Sequence, residues 1–196
     1  MSTRPSGRPL FVFLASHRGQ YSMTESQAYL TRPSERYKDS FIAAVYEYIR
    51  EKRTINWHPE ILRTRFEEYL RVLEQAETEP LAGYAPASRF WLIADGDGYI
   101  GDVDVRHCLN ESLKRYGGHI GYKIRPTFRQ RGHGTLICKL GIEQVRLLGI
   151  SDILITCDDD NIGSAKIIEA NGGFLRDRVD NGRGVLTRRY WIRAGD

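Results

Sequence analysis

Two long stretches near the N-terminus space their apolar residues at helical intervals. In "SERYKDSFIAAVYEYIREKR" (34–53), Tyr37, Phe41, Val45 and Tyr48 share one face, behind Ser34 as a helix-capping residue. "HPEILRTRFEEYLRVLEQAE" (58–77) places Pro59 near the first helical position and sets Ile61, Phe66, Leu70 and Leu73 along one stripe, which predicts a second helix. The period then changes. "SRFWLIADGDGYIGDVDVRH" (88–107) is two apolar runs joined by Asp-Gly pairs, the pattern of a hairpin. "GHIGYKIR" (118–125) predicts a strand closed by Pro126, and 134–148 a helix ended by Gly149. "DILITCD" (152–158) reads as a buried strand, "NIGSAKIIEANGG" (161–173) as a helix capped by Asn161, and 174–179 and 184–193 as two closing strands. This order predicts an α/β (α+β) domain whose mixed sheet carries helices on both faces.

Composition narrows the class. At 196 residues, with 41% hydrophobic and 28% charged positions, the chain suits a single globular domain and is short for two. The net charge is +4, but Arg4, Arg8 and Arg18 precede every acidic residue, so the remainder is near neutral. That distribution speaks against nucleic acid as a partner. No run approaches the roughly 20 apolar residues of a membrane span, so no membrane is expected. "LFVFLA" is too short for the apolar region of an export signal. Cys108, Cys138 and Cys157 are odd in number and lack metal-ligand spacing, so they read as reduced thiols of a cytoplasmic protein with no metal. Residues 1–28 are expected to form a flexible N-terminal extension, with Met23 as an alternative start, and 29–196 a single domain.

The candidate chemistry lies at "RPTFRQRGHG" (125–134), immediately before a helix. A strand, then Arg129, Gly132 and Gly134, then a helix N-terminus directs several backbone N–H groups at one spot, which suits a phosphate. The Walker loop is excluded because Thr135 and Leu136 follow Gly134, and the dinucleotide fingerprint because Ile137 stands where its third glycine is needed. Alone, "RGHG" reads equally well as a tight turn.

It does not stand alone. Residues 119–175 resemble the GNAT superfamily of N-acetyltransferases, with R-x-x-G-x-G at Arg129 to Gly134 and N-x-x-S at Asn161 to Ser164. The likeness extends to "RHCLNESLKRYGGHIGYKIRP" (106–126) and "YAPASRFWLI" (84–93), as in a bacterial branch of acetyltransferases, and covers about residues 29 to 193. It implies a mixed, V-splayed sheet of about six to seven strands flanked by about four helices, with the arm of acetyl-CoA between the fourth and fifth strands. It also implies that the amides of Gln130, Arg131, Gly132, His133, Gly134 and Thr135 take the pyrophosphate. Ile124 and Arg125 would offer main-chain bonds to the pantetheine arm, Asn161 would bond it from the other side, and Ser164 would lie near the thiol. Arg129 and Arg131 would add charge near the phosphates, with a solvated loop arginine as the alternative for each.

Acetyl transfer to an amine requires a proton acceptor, since a lysine-type amine has a pKa of about 10.4. Many family members begin this strand with a Glu in a pattern like "EIGY"; here "HIGY" puts His119 in its place, either as the base or as a polar strand residue. The family's general-acid Tyr, seven residues after the Asn, is replaced by Ile168, leaving water, Tyr190 or Ser164 to protonate the thiolate. For the acceptor site the two N-terminal helices offer Tyr46, Tyr48, Trp57 and His58. A small-molecule amine is expected as acceptor, by direct transfer in a ternary complex. The alternatives are a protein amino group, or a silent acyl-CoA-binding module; a homodimer is also admitted.

Overall fold

The computed structural model describes residues 28–94, 96, 98–180 and 184–193. The expected N-terminal extension therefore lies, but for Ala28, outside the described residues. Strands β1 (Tyr29–Thr31), β2 (Ala87–Ala94), β3 (Gly98–Arg106), β4 (Ile120–Ile124), β5 (Ile153–Asp158), β6 (Phe174–Asp180) and β7 (Leu186–Ile192) make one sheet, in the order β1-β2-β3-β4-β5-β7-β6. Every pairing is antiparallel except β4 with β5.

Helices cover both faces. On one side, α1 (Lys38–Arg50), α2 (Pro59–Thr64) and α3 (Phe66–Gln75) bury Phe41, Val45, Tyr48, Leu62, Phe66 and Tyr69 against Trp91, Ile93 and Tyr99 of the sheet. Phe41 is the centre of that cluster, stacked 4.6 Å from Trp91 and 5.3 Å from Tyr69. Truncating such a side chain costs roughly 3–5 kcal/mol. On the other side, α4 (His133–Leu147) and α5 (Ile162–Ala170) pack Ile137, Cys138, Ile142, Val145, Ala165 and Ile168 onto Leu92, Ile100, Val103, Ile120 and Ile155. Burial pushes the Cys138 thiol up to about 12 and Cys157 up to about 11; both are free thiols.

Two expectations need correction. The single helix over 58–77 is interrupted at Arg65 (φ −127°, ψ 39°), where the Thr64 hydroxyl bonds back to the carbonyls of Glu60 and Ile61. The kink rotates the register, so Leu62 is buried and Ile61 is 43% exposed. The domain also opens with β1, an edge strand too short to show alternation.

The feature that positions the site is the divergence of β4 and β5, which pair at Ile120–Ile155 alone. Beyond it, β4 stays with β3 and β5 with β7. Arg106 N–H donates to the His119 carbonyl, and Arg125 N–H to that of Ile100. Odd-numbered residues of this strand therefore face β3 with their main chain, and Tyr122 and Ile124 turn theirs towards the widening gap.

Candidate functional site

The gap opens into a cavity of about 460 Å³. β4 supplies Tyr122, Lys123 and Ile124; the following turn supplies Arg129, Gln130 and Gly132; the first turn of α4 supplies Gly134 and Thr135. α5 and its cap close the far wall with Asn161, Gly163, Ser164 and Ile167, and Arg53 enters from the segment after α1. Gln130 (φ 58°) and Gly132 (φ 80°) both occupy the left-handed region, costly for the glutamine and natural for the glycine. Gly132 caps α4 without any side-chain hydrogen bond, so the first N–H groups of the helix remain open donors with the helix dipole behind them. This concave, amide-lined turn suits a pyrophosphate. Gly134 also serves packing, because a Cβ there would lie 2.6 Å from Ile167 Cδ1.

Of the residues expected at the cofactor, Ile124, Arg129, Gln130, Gly132, Gly134, Thr135, Asn161 and Ser164 line this cavity, whereas Arg125, Arg131 and His133 do not. Arg125 cannot pair with an incoming arm as expected. Its N–H is given to Ile100, its carbonyl accepts from Phe128 N–H at 2.9 Å, and its guanidinium donates to Glu47 at 2.7 and 2.8 Å. Arg131 lies over the Phe128 ring, and the His133 ring lies 6.2 Å from the same ring. Burial and the nearby Arg131 charge hold His133 below the usual histidine pKa. Arg129 is engaged too: it grips Glu51 through two bonds of 2.8 Å and donates to the Ile124 carbonyl at 3.1 Å, so it braces the loop rather than offering a free charge. Asn161 caps α5 by accepting from Ser164 N–H at 3.1 Å, which leaves its amide NH₂ as a donor.

His119 does not have the geometry of a base. It is 6% exposed and lines neither this cavity nor its neighbour. Its Nδ1 accepts from Leu154 N–H at 3.0 Å, while its own N–H donates to the Leu154 carbonyl at 2.7 Å. In that tautomer Nε2 carries the proton, and no lone pair is free to receive another. Burial and the Arg106 charge lower its pKa, which keeps the ring neutral. The residue clips β4 to β5.

A hydroxyl that sequence reasoning passed over stands in the cavity. Tyr122 OH lies 2.8 Å from Ser164 Oγ, bridging the gap between β4 and α5. Burial raises its pKa, against a smaller lowering from Ser164, so it is a protonated donor at neutral pH. The signal was its place two residues before Ile124, hence on the same strand face. Ile168 is fully buried core, and Tyr190 donates to Glu169 at 2.9 Å, away from the cavity walls.

A second cavity, of about 490 Å³, adjoins the first and shares Arg53 and Lys123 with it. Its walls come from Phe41, Val45 and Tyr48 of α1, the segment 52–57, Leu62 and Tyr69 of α2 and α3, and Arg89 of β2. Of the expected acceptor aromatics, Tyr48 and Trp57 line it, whereas Tyr46 donates to Glu60 and His58 caps α2. Among the described residues the walls of the two cavities contain no carboxylate and no histidine. No group of three or more His, Cys, Asp or Glu gathers at a metal-binding spacing among the described residues, and no described helix is long and apolar enough to cross a membrane.

Residues 18–173 match the acetyltransferase (GNAT) domain family. No curated protein sequence matches the chain significantly. Among solved structures, the fold is similar to that of RimL, a ribosomal alpha-N-protein acetyltransferase in complex with coenzyme A, at 17% identity and a TM-score of 0.61, covering 88% of this chain and 97% of that one. It is also similar to MccE, a microcin C7 self-immunity acetyltransferase in complex with acetyl-CoA and AMP, at 19% identity and a TM-score of 0.59 over 88% and 98% of the two chains. A SpeG spermidine N-acetyltransferase chimera from Vibrio cholerae and hSSAT aligns at 15% identity and a TM-score of 0.55 over 86% and 96%.

Proposed function

Since the chain belongs to the GNAT acetyltransferase family and is an acetyl-CoA-dependent N-acyltransferase, we propose that it acetylates the primary amine of a small molecule by direct transfer in a ternary complex. The observation that carries this reading is the pair of adjoining cavities with Lys123 and Arg53 at their junction. One has the amide-lined turn that suits a pyrophosphate; the other, at about 490 Å³, has the size of a small-molecule site.

The loop amides from Gln130 to Thr135 take the pyrophosphate, and the Asn161 side-chain NH₂ and the Ile124 N–H hold the pantetheine arm. An N–H of β4 turned into the gap, at Tyr122 or Ile124, meets the oxyanion as the tetrahedral carbon forms. Lys52 and Arg53, with Arg89 and Lys123 beside their carboxylate partners, leave the acceptor cavity an excess of positive charge, which disfavours a bound ammonium and lowers its pKa. The amine proton then passes to water in that cavity. As the new C–N bond forms and the C–S bond breaks, the Tyr122 hydroxyl, supported by Ser164, gives its proton to the departing sulfur. The test is release of free CoA thiol from acetyl-CoA with a panel of amines. Thiol release that occurs with small amines supports the reading; release only with peptide amino groups favours a protein acceptor; acetyl-CoA binding without release in any case would leave a silent acyl-CoA-binding module.

A further inference from the structure

The acceptor cavity carries more charge and more unmet hydrogen-bonding capacity than a simple amine needs. Its walls hold four basic side chains and no acid among the described residues. Two of the four are matched: Arg89 grips Asp104 at 2.6 and 2.8 Å, and Lys123 lies 3.3 Å from Asp102. Arg53 reaches Glu51 at 3.2 Å, but that carboxylate is already bound at both oxygens by Arg129. Lys52 has no ion-pair partner among the described residues. The site therefore carries an excess of positive charge on the side where the 52–57 segment covers it.

Two buried hydroxyls add a second, independent observation. Tyr48 and Tyr69 are each 3% exposed, both line the cavity, and neither completes a hydrogen bond among the described residues. Their polar neighbours, the Tyr99 hydroxyl and the Arg89 guanidinium, lie close but make their hydrogen bonds to Asp102 and Asp104. A buried hydroxyl without a partner is a cost that a folded protein rarely carries for nothing. The Trp91 indole N–H is also unpartnered, but it lies in the aromatic cluster outside the cavity walls. Backbone strain marks the same place. Lys52 (φ 57°) and Gln130 (φ 58°) are the two non-glycine residues with positive φ among the described residues; one lines each cavity. Strain of that kind tends to persist at ligand sites.

We propose that the acceptor amine carries an oxyanion, a carboxylate or a phosphate, bound by Lys52 and Arg53 and by the hydroxyls of Tyr48 and Tyr69, with its apolar body against Phe41 and Trp57. The proposal rests on the acetyl-transfer reading and deepens it. The same positive field that holds the anion repels a polycation, so polyamines are poor substrates.

The experiment measures thiol release from acetyl-CoA with matched pairs: amino carboxylates against their methyl esters, amino phosphates against the dephosphorylated amines, and spermidine as a polycation. The expected result is that the anionic member of a pair has the higher kcat/KM by about 10- to 100-fold, the span of one or two hydrogen bonds to a charged group. The carboxylate and phosphate arms show which oxyanion the site takes. Tyr69→Phe removes a hydroxyl that has no hydrogen-bond partner among the described residues, so it should leave melting temperature unchanged or higher while raising KM for the anionic acceptor about tenfold or more. Lys52→Gln, exposed and outside both helices, gives the same KM readout in a variant that folds. Neutral esters or spermidine turned over as well as the anionic amines would overturn the proposal while leaving acetyl transfer intact. No thiol release with any amine, despite stabilisation by acetyl-CoA, would overturn the transfer reading and this proposal with it.

Discussion

Replacing Glu47 with glutamine should expose how the turn between β4 and α4 is anchored. Glu47, on α1, accepts from Arg125 Nε at 2.8 Å and Nη2 at 2.7 Å, and from Thr127 N–H at 3.2 Å and its hydroxyl at 3.0 Å. The Arg125 and Glu47 side chains are 16% and 12% exposed. Glutamine keeps the shape and an amide oxygen where Oε1 accepts both Arg125 bonds, but it removes the negative charge from beside the guanidinium and puts an NH₂, which cannot accept, where Oε2 receives Thr127 N–H. Breaking a buried pair costs roughly 3–5 kcal/mol; with both partners touching solvent, about 3 kcal/mol is expected, or about 6–12 °C in a domain of this size. Burial alone would raise the Glu47 pKa, but Arg125 and Thr127 outweigh it and hold it below the usual range. The folded pKa is thus depressed, so this stabilisation is fully present above the unfolded value of about 4.3 and is lost as pH falls through the folded value. Urea unfolding of wild type and variant at pH 7, 5 and 3.5 should give an equal gap at the first two and a smaller one at the third. Arg125→Met combined with Glu47→Gln should cost less than the two changes summed. A gap below 1 kcal/mol at pH 7, or one that ignores pH, would refute the anchor.

Three further outcomes are expected. Acetyl-CoA at about 100 times its Kd should stabilise the protein by about 2.7 kcal/mol, and Gly132→Val, at a left-handed position with open space around it, should lose most of that gain in a thermal shift assay. Tyr122→Phe should lower kcat roughly 10²-fold with unchanged acetyl-CoA stabilisation; equal kcat would return the proton to water. His119→Ala strands the buried Leu154 N–H and should cost about 1–3 kcal/mol with near-normal kcat and an unchanged pH–rate profile, whereas His119→Asn, which restores an acceptor near Nδ1, should recover part of the loss. Because the folded His119 pKa lies below the unfolded value of about 6.5, wild-type stability should fall as pH drops through that value, and His119→Ala should lack that slope.

Much of the fold was legible because burial sets the periodicity. Tyr37, Phe41, Val45 and Tyr48 of the first helical stripe are all buried, and the order of helices and strands is as expected from β2 onward. The failures have local causes. The stripe from Ile61 to Leu73 is continuous in sequence across Arg65, so a break made by one residue's dihedrals and the Thr64 hydroxyl left no trace in the spacing. β1 is three residues long, and an edge strand of that length owes its existence to pairing with β2. The turn into α4 was legible because glycine and a helix start carry their geometry with them.

The proposed catalytic side of the site was much harder to read, because the state of its side chains depends on pairings between distant segments. A histidine at the start of β4 offers a base only if one nitrogen is free, and that depends on Leu154, 35 residues away. Arg125 looks like main chain for an arm until Ile100 and Phe128 are seen to use both of its peptide groups. The charge of the second cavity is the sharpest case. The chain past its first 20 residues is near neutral. Asp104 and Asp102 are drawn into the sheet against Arg89 and Lys123, and Glu51 is taken by Arg129. The carboxylates are thereby spent behind the walls, while Lys52 and Arg53 remain on the cavity side. A neutral composition thus yields a cavity with an excess of positive charge, and under the proposed acetyl transfer the same segregation would depress the pKa of a bound amine and select for an acceptor that brings its own negative charge.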